Sequence, residues 1–216
     1  MKLKPRHLLG VACLPIIILL ASIYGLMRLV LKVTAGRNLH QEELDILAKD
    51  IFEYLKDDIM DYLKINSFPT IGCNNPIKKG IAGRHITIDT SHPWDAYHNQ
   101  YDISRSHIHE TEDWYDGKLV HYEVIYPCVI YERACKNIFI YQYIFISTMV
   151  HELTHYRQHL MGTIDDNYVS YNRCMDNYKD YKNQYMEVDA NRSARRFIIK
   201  NLFTIIKLIY KNSRRY

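Results

Sequence analysis

The sequence predicts an α+β fold, with a small sheet, a helix carrying the chain's most distinctive motif and a C-terminal helix, behind an N-terminal transmembrane helix. Three observations predict it. Residues 8 to 31 form a long apolar run, LLGVACLPIIILLASIYGLMRLVL, with one charge at Arg28. Two later stretches, HITIDT at residues 85 to 90 and LVHYEVIYPCVIYE at 119 to 132, are rich in β-branched and aromatic residues, the composition of strands. The rest of the regular sequence repeats its apolar residues every three or four positions, the period of a helix packed on one side. A chain of 216 residues with 48% hydrophobic and 24% charged residues has the composition of a globular protein, not a disordered one.

Taken in order, residues 1–37 are expected to be a membrane anchor and 38–216 one domain. A helix over 8–31 would rise roughly 30 Å or more, enough to cross a hydrocarbon core. The run also exceeds the roughly 7 to 15 apolar residues of a cleaved signal peptide. Lys2, Lys4 and Arg6 precede it and Lys32 and Arg37 follow it, a near balance that leans towards a cytoplasmic N-terminus and an extracytoplasmic domain. Residues 40 to 66 place Leu44, Leu47, Ile51, Leu55, Ile59 and Leu63 on one helical face. Residues 67 to 83 read as loop from their Asn, Pro and Gly. The two strand segments follow, with Pro127 marking an edge or a break. Between them, 91 to 117 reads as a polar surface loop, although His92, His98, His107 and His109 could also chelate a metal. An apolar run from residue 137 leads into a helix ending near 161, and 178 to 211 has helical spacing again.

The net charge of +4 is too small to indicate a nucleic-acid partner, and none is expected. The distribution is uneven: after Asp189 there is no acidic residue, only Arg and Lys from Arg192 to Arg215. Such a stretch is a solvated helix face, or one that lies on anionic lipid or nucleic acid. Cys73, Cys128, Cys135 and Cys174 could form two disulfides or remain buried thiols; without a C-x-x-C pair they do not suggest a zinc knuckle.

The motif is HELTH, residues 151 to 155. His151 and His155 are one helical turn apart, so both imidazoles can reach one zinc ion. Glu152 projects beside that position, where it can take a proton from metal-bound water as a catalytic base. Uncharged neighbours, Thr148-Met149-Val150 and Leu153-Thr154, suit a buried helix. A catalytic zinc takes three protein ligands and leaves a place for water. Glu187 in EVDAN is the expected third ligand, with Asn191 on the same face to hydrogen-bond a ligating histidine. Asp189 is a rival, about 200° from Glu187 around an ideal helix. His159, two turns from His151, is another, and it and Gln158 are read as lining or packing residues. Tyr168, Tyr171, Tyr178, Tyr181 and Tyr185 are all candidates to stabilise an oxyanion.

HELTH followed some thirty residues later by Glu187, Ala190 and Asn191 resembles the gluzincin type of zincin metallopeptidase, among them the ImmA/IrrE-type and HtpX-like peptidases. The resemblance spans about residues 84 to 200 and is firm at two short motifs; Asn191 stands where aspartate is commoner, and Ser193 where an aromatic often follows. It implies a zincin-like domain, a zinc cofactor held by His151, His155 and Glu187, and a protein or peptide substrate. The expectation is thus a membrane-anchored zinc peptidase with Glu152 as general base. The alternative is a membrane-tethered, zinc-containing binding protein with the same fold and no turnover.

Overall fold

The computed structural model describes residues 38–73, 82–89, 107–109, 119–163 and 178–216. Residues Asn38–Tyr216 form one compact unit. Its elements in chain order are helix α1 (Gln41–Leu63), strands β1 (Thr70–Cys73), β2 (Gly83–Asp89), β3 (His107–His109) and β4 (Leu119–Ile125), then helices α2 (Pro127–Arg133), α3 (Ile138–Leu160), α4 (Tyr178–Asn183), α5 (Tyr185–Lys200) and α6 (Leu202–Ser213).

The period-of-helix residues of α1 are the core. Leu47, Ile51, Leu55, Ile59 and Leu63 are fully buried. The helix starts where the His40 backbone N–H donates to Glu43 Oε2 at 3.0 Å, and Glu42 and Glu43 lie at the positive end of its dipole. It ends at Lys64, whose φ of 57° is left-handed. Helix α3 is the centre of the unit, packing against α1, α2, α5, α6 and the sheet. Asn137 caps it, its Oδ1 accepting from the backbone N–H groups of Phe139 and Ile140 at 3.0 and 3.1 Å. At the other end Gly162, with φ of 61°, lets the Thr163 N–H reach the Gln158 carbonyl at 3.0 Å. That closure stops the helix just after its functional turn.

The sheet is small and mixed, in the order β2-β4-β1-β3. β4 runs antiparallel to β2, from Gly83 opposite Ile125 to Asp89 opposite Leu119, and parallel to β1. β1 and β3 arise in stretches expected to be loop, and β1 is mostly buried because Ile71 and Cys73 join the core.

The expected α+β zincin-like class is corrected by this architecture. The described residues are mostly helical: two helices have 23 residues each, while among those residues no strand exceeds 7. The segment 119–132 splits at Pro127, whose fixed φ and missing N–H suit the first turn of a helix; the residues after it are α2 and not strand. The C-terminal stretch likewise breaks into three helices. Gln184, extended at ψ 143°, interrupts it once, and Asn201, with ψ 22°, interrupts it again.

The expected single-pass membrane location with an extracytoplasmic domain is also corrected. Among the described residues no helix is long and apolar enough to cross a membrane. The run at 8–31, on which that expectation rested, lies outside the described residues. The long helices α1 and α3 turn their apolar sides onto the unit's own core. Cys73, Cys128 and Cys135 are free thiols, and Cys128 donates to Gln41 Oε1. Cys174 and the histidines at 92 and 98 lie outside the described residues.

Candidate metal centre

Helix α3 carries His151, Glu152 and His155 on its last three turns, and α5 lies across it with Glu187 in its first turn. The crossing exists because α5 buries Met186, Ala190, Ala194 and Phe197 on the side that holds Glu187. Small residues at 190 and 194 let the helices approach closely.

The three side chains converge. His151 Nε2 is 3.1 Å from His155 Nε2. Glu187 Oε2 is 3.4 Å from His151 Nε2, and Glu187 Oε1 is 3.3 Å from His155 Nε2. Donor atoms about 2.0–2.1 Å from a tetrahedral zinc stand roughly 3.3–3.4 Å from one another. The three separations lie within a few tenths of an ångström of that figure, with one Glu187 oxygen facing each imidazole, so the residues fit a divalent metal. Side-chain exposure is 17% at His151 and 4% at Glu187, so the centre opens on the His151 side.

Gln158 fixes the state of one ligand. Its Nε2, which can only donate, is 3.0 Å from Asp189 Oδ2 and 3.3 Å from the Met186 carbonyl. Its Oε1 therefore faces His155 Nδ1 at 2.8 Å and must accept. In its neutral form His155 then carries its proton on Nδ1 and leaves Nε2 facing the cluster, the tautomer a metal needs. Asp189 is in turn 3.7 Å from Arg157 Nη2. Two further bonds hold Glu187: Tyr181 Oη donates to its Oε1 at 2.6 Å, and Asn191 Nδ2 donates to its backbone carbonyl at 2.7 Å.

The electrostatics call for a cation. Burial lowers the basicity of His155, but the Glu187 hydrogen bond, the charges of Glu152 and Glu187 and the Gln158 bond outweigh it and raise the pKa to about 9. Burial pushes the Glu187 carboxyl up, and the two histidines and Tyr181 pull it further down, well below the usual carboxylate range. Two buried carboxylates next to two imidazoles hold one positive charge strongly, whether a proton or a metal ion.

Glu152 lies outside this ligand group, which among the described residues consists of His151, His155 and Glu187. It is 7% exposed and pressed against the start of β2. A Cβ built on Gly83 would stand 2.8 Å from Glu152 Oε1 and 2.9 Å from both Glu152 Cγ and Thr148 Cγ2. Only glycine lets the edge strand come this near.

Several sequence expectations change here. Asn191 was expected to bond a ligating histidine; its bond goes to the Glu187 carbonyl one turn back, and Gln158, read as packing, holds His155 instead. The i, i+3 spacing of His155 and Gln158 was the available signal, and glutamine's ambiguity as donor or acceptor hid it. Asp189 and His159 are not in the ligand group; Asp189 points to Gln158 and Arg157. Of the five tyrosines, Tyr181 reaches the centre and Tyr185 is 68% exposed. Tyr168 and Tyr171, and the side chain of Tyr178, lie outside the described residues. No protein-family model, curated protein or solved structure matches the chain.

Proposed function

We propose that the chain is a zinc-dependent hydrolase of peptide bonds, with His151, His155 and Glu187 as ligands and Glu152 as general base. The observation that supports this reading is the convergence of His151, His155 and Glu187, which offer ligand atoms within 4.8 Å of one another, with a buried glutamate outside that group one residue after the first histidine. These are also the residues of the gluzincin resemblance, which rests here on the ligand set and not on the layering of the fold.

Zinc held by His151, His155 and Glu187 would lower the pKa of a water towards neutrality and polarise the scissile carbonyl. Glu152 then receives the proton of the attacking water and delivers it to the departing amine. Its charge is felt at His155, which places it within range of the same centre. Gln158 and Tyr181 act on the ligands, holding His155 in its Nδ1–H form and Glu187 by one oxygen. Substrate enters from the more exposed His151 side.

Glu152→Gln separates base from ligand. The change keeps the shape and removes the proton acceptor, so metal content should stay near wild type. Cleavage of casein or of quenched fluorescent peptides should fall by about 10²- to 10⁴-fold. Glu187→Gln should lower both metal content and activity. Undiminished cleavage by Glu152→Gln contradicts the mechanism, and no cleavage by the wild type favours a metal-containing binding protein.

A further inference from the structure

The outer face of the C-terminal helices carries a run of large apolar side chains that the described residues leave exposed. Phe203 is 87% exposed, Ile199 74%, Tyr210 56%, Ile206 53% and Leu202 44%. Four of them belong to α6. At about 100° per residue, Leu202, Phe203, Ile206 and Tyr210 occupy an arc of roughly 100°. The inward side of the same helix is well satisfied. Ile205 and Leu208 are 2% exposed, and Asn212 Nδ2 donates to the buried Gln142 at 3.1 Å. The apolar arc is therefore a second face, separate from the one that docks α6 on α3.

Cations border this face. Lys207, Lys211 and Arg214 fall in the next sector, about 60° wide, between the apolar arc and the buried side. Arg195 and Arg196 carry further charge on α5, where Lys200 pairs with Asp61 of α1 at 4.0 Å, and no acidic residue occurs after Asp189. Arg214 stacks over the Tyr210 ring at 5.3 Å, so cation and apolar stripe meet side by side. An apolar stripe with a cationic edge sorts side chains by depth. That matches a plane whose apolar interior lies under an anionic skin, with lysine stems reaching back to the skin.

We propose that α6 docks its Leu202–Tyr210 face on an anionic lipid surface, lying in the headgroup layer and not crossing it. Its 12 residues span about 18 Å, short of the roughly 30 Å of a hydrocarbon core. The apolar residues supply the burial, and each flanking Lys or Arg near an anionic surface adds electrostatic attraction. Charge selects the lipid, since zwitterionic headgroups give the lysines no counterpart.

The test puts a reporter on the face itself, in the full chain. Phe203→Trp adds a fluorophore at an exposed position, and subtracting the wild-type signal removes the two native tryptophans. Vesicles of phosphatidylcholine, alone or with an equal part of phosphatidylglycerol, carry brominated acyl chains that quench nearby indole. Seating roughly 5–10 Å deep should quench about half or more of the added emission with the anionic vesicles and little with phosphatidylcholine alone. Ile206→Glu in the same background should abolish the quenching, and so should Lys207→Glu combined with Lys211→Glu, with far-UV circular dichroism unchanged. No quenching by anionic vesicles, or equal quenching by both kinds, overturns the proposal. So does a blue shift that grows with protein concentration without vesicles, which identifies a second copy as the cover. A blue shift produced by an acidic protein or by nucleic acid, with none from vesicles, assigns the face to that partner instead.

Discussion

At the residue scale the centre depends on one amide. Gln158 reads three groups at once: it accepts from His155 Nδ1 at 2.8 Å and donates to Asp189 at 3.0 Å and to the Met186 carbonyl at 3.3 Å. Replacing it with leucine preserves bulk but leaves the His155 Nδ1–H without its acceptor in a buried place. The imidazole is then free to turn or to take the other tautomer, whose Nε2 cannot bind metal. Partners of this kind typically change metal affinity by about 10- to 100-fold. A competition titration with a zinc chelator should show Gln158→Leu weaker by that factor, with the fold intact by circular dichroism. Gln158→Glu should recover much of the loss, because a carboxylate accepts the same hydrogen bond, although it faces Asp189 as a like charge. Unchanged affinity in Gln158→Leu shows that the tautomer is set elsewhere.

At the scale of elements, the position of β2 against α3 decides how Glu152 is held. Gly83 begins the edge strand where a methyl group would meet Glu152 and Thr148 at 2.8 to 2.9 Å. Gly83→Ala must therefore move either the strand or the carboxylate, and such overpacking costs about 1–3 kcal/mol. Turnover of a peptide substrate should fall while zinc content stays near wild type, since no ligand is touched; normal turnover shows that Glu152 tolerates displacement. How far the elements were legible in the sequence follows from the same kind of local detail. α1 was readable because its apolar period is long and uninterrupted, α3 because an apolar run leads into the motif, and HELTH showed the two clustered histidines because a single turn fixes their relation. Glu187 was readable from EVDAN, but its true neighbours were not, because Gln158 and Tyr181 reach the centre through the packing of α5 against α3 and α4. The helix after Pro127 was obscured by residues that favour strands, Val129, Ile130 and Tyr131, until tertiary packing of Ile130 and Tyr131 in the core overrode them. β1, four residues long, is too short to show a period.

At the scale of the whole molecule, α3 serves two purposes along its length. Its first half is core, with Tyr141, Phe145 and Ile146 fully buried, and its second half presents the ligands. The buried bonds of Gln142 to Ser213 Oγ at 3.1 Å and to Asn212 fasten α6 to the first half. α5 locks onto the second half through Glu187, Gln158 and the apolar residues from Met186 to Phe197. α3 and α5 thus meet with ligand atoms of His151, His155 and Glu187 within 4.8 Å of one another, close enough to share a metal ion. The central claim is that the crossing is a zinc site, and metal analysis of the purified chain tests it most directly. Mass-spectrometric metal content should be about one zinc per wild-type chain and close to none in His151→Ala, since three protein ligands are the usual set for a catalytic zinc and two hold it poorly. The same zinc content in wild type and His151→Ala, or none in the wild type after saturation with zinc and desalting, contradicts the account.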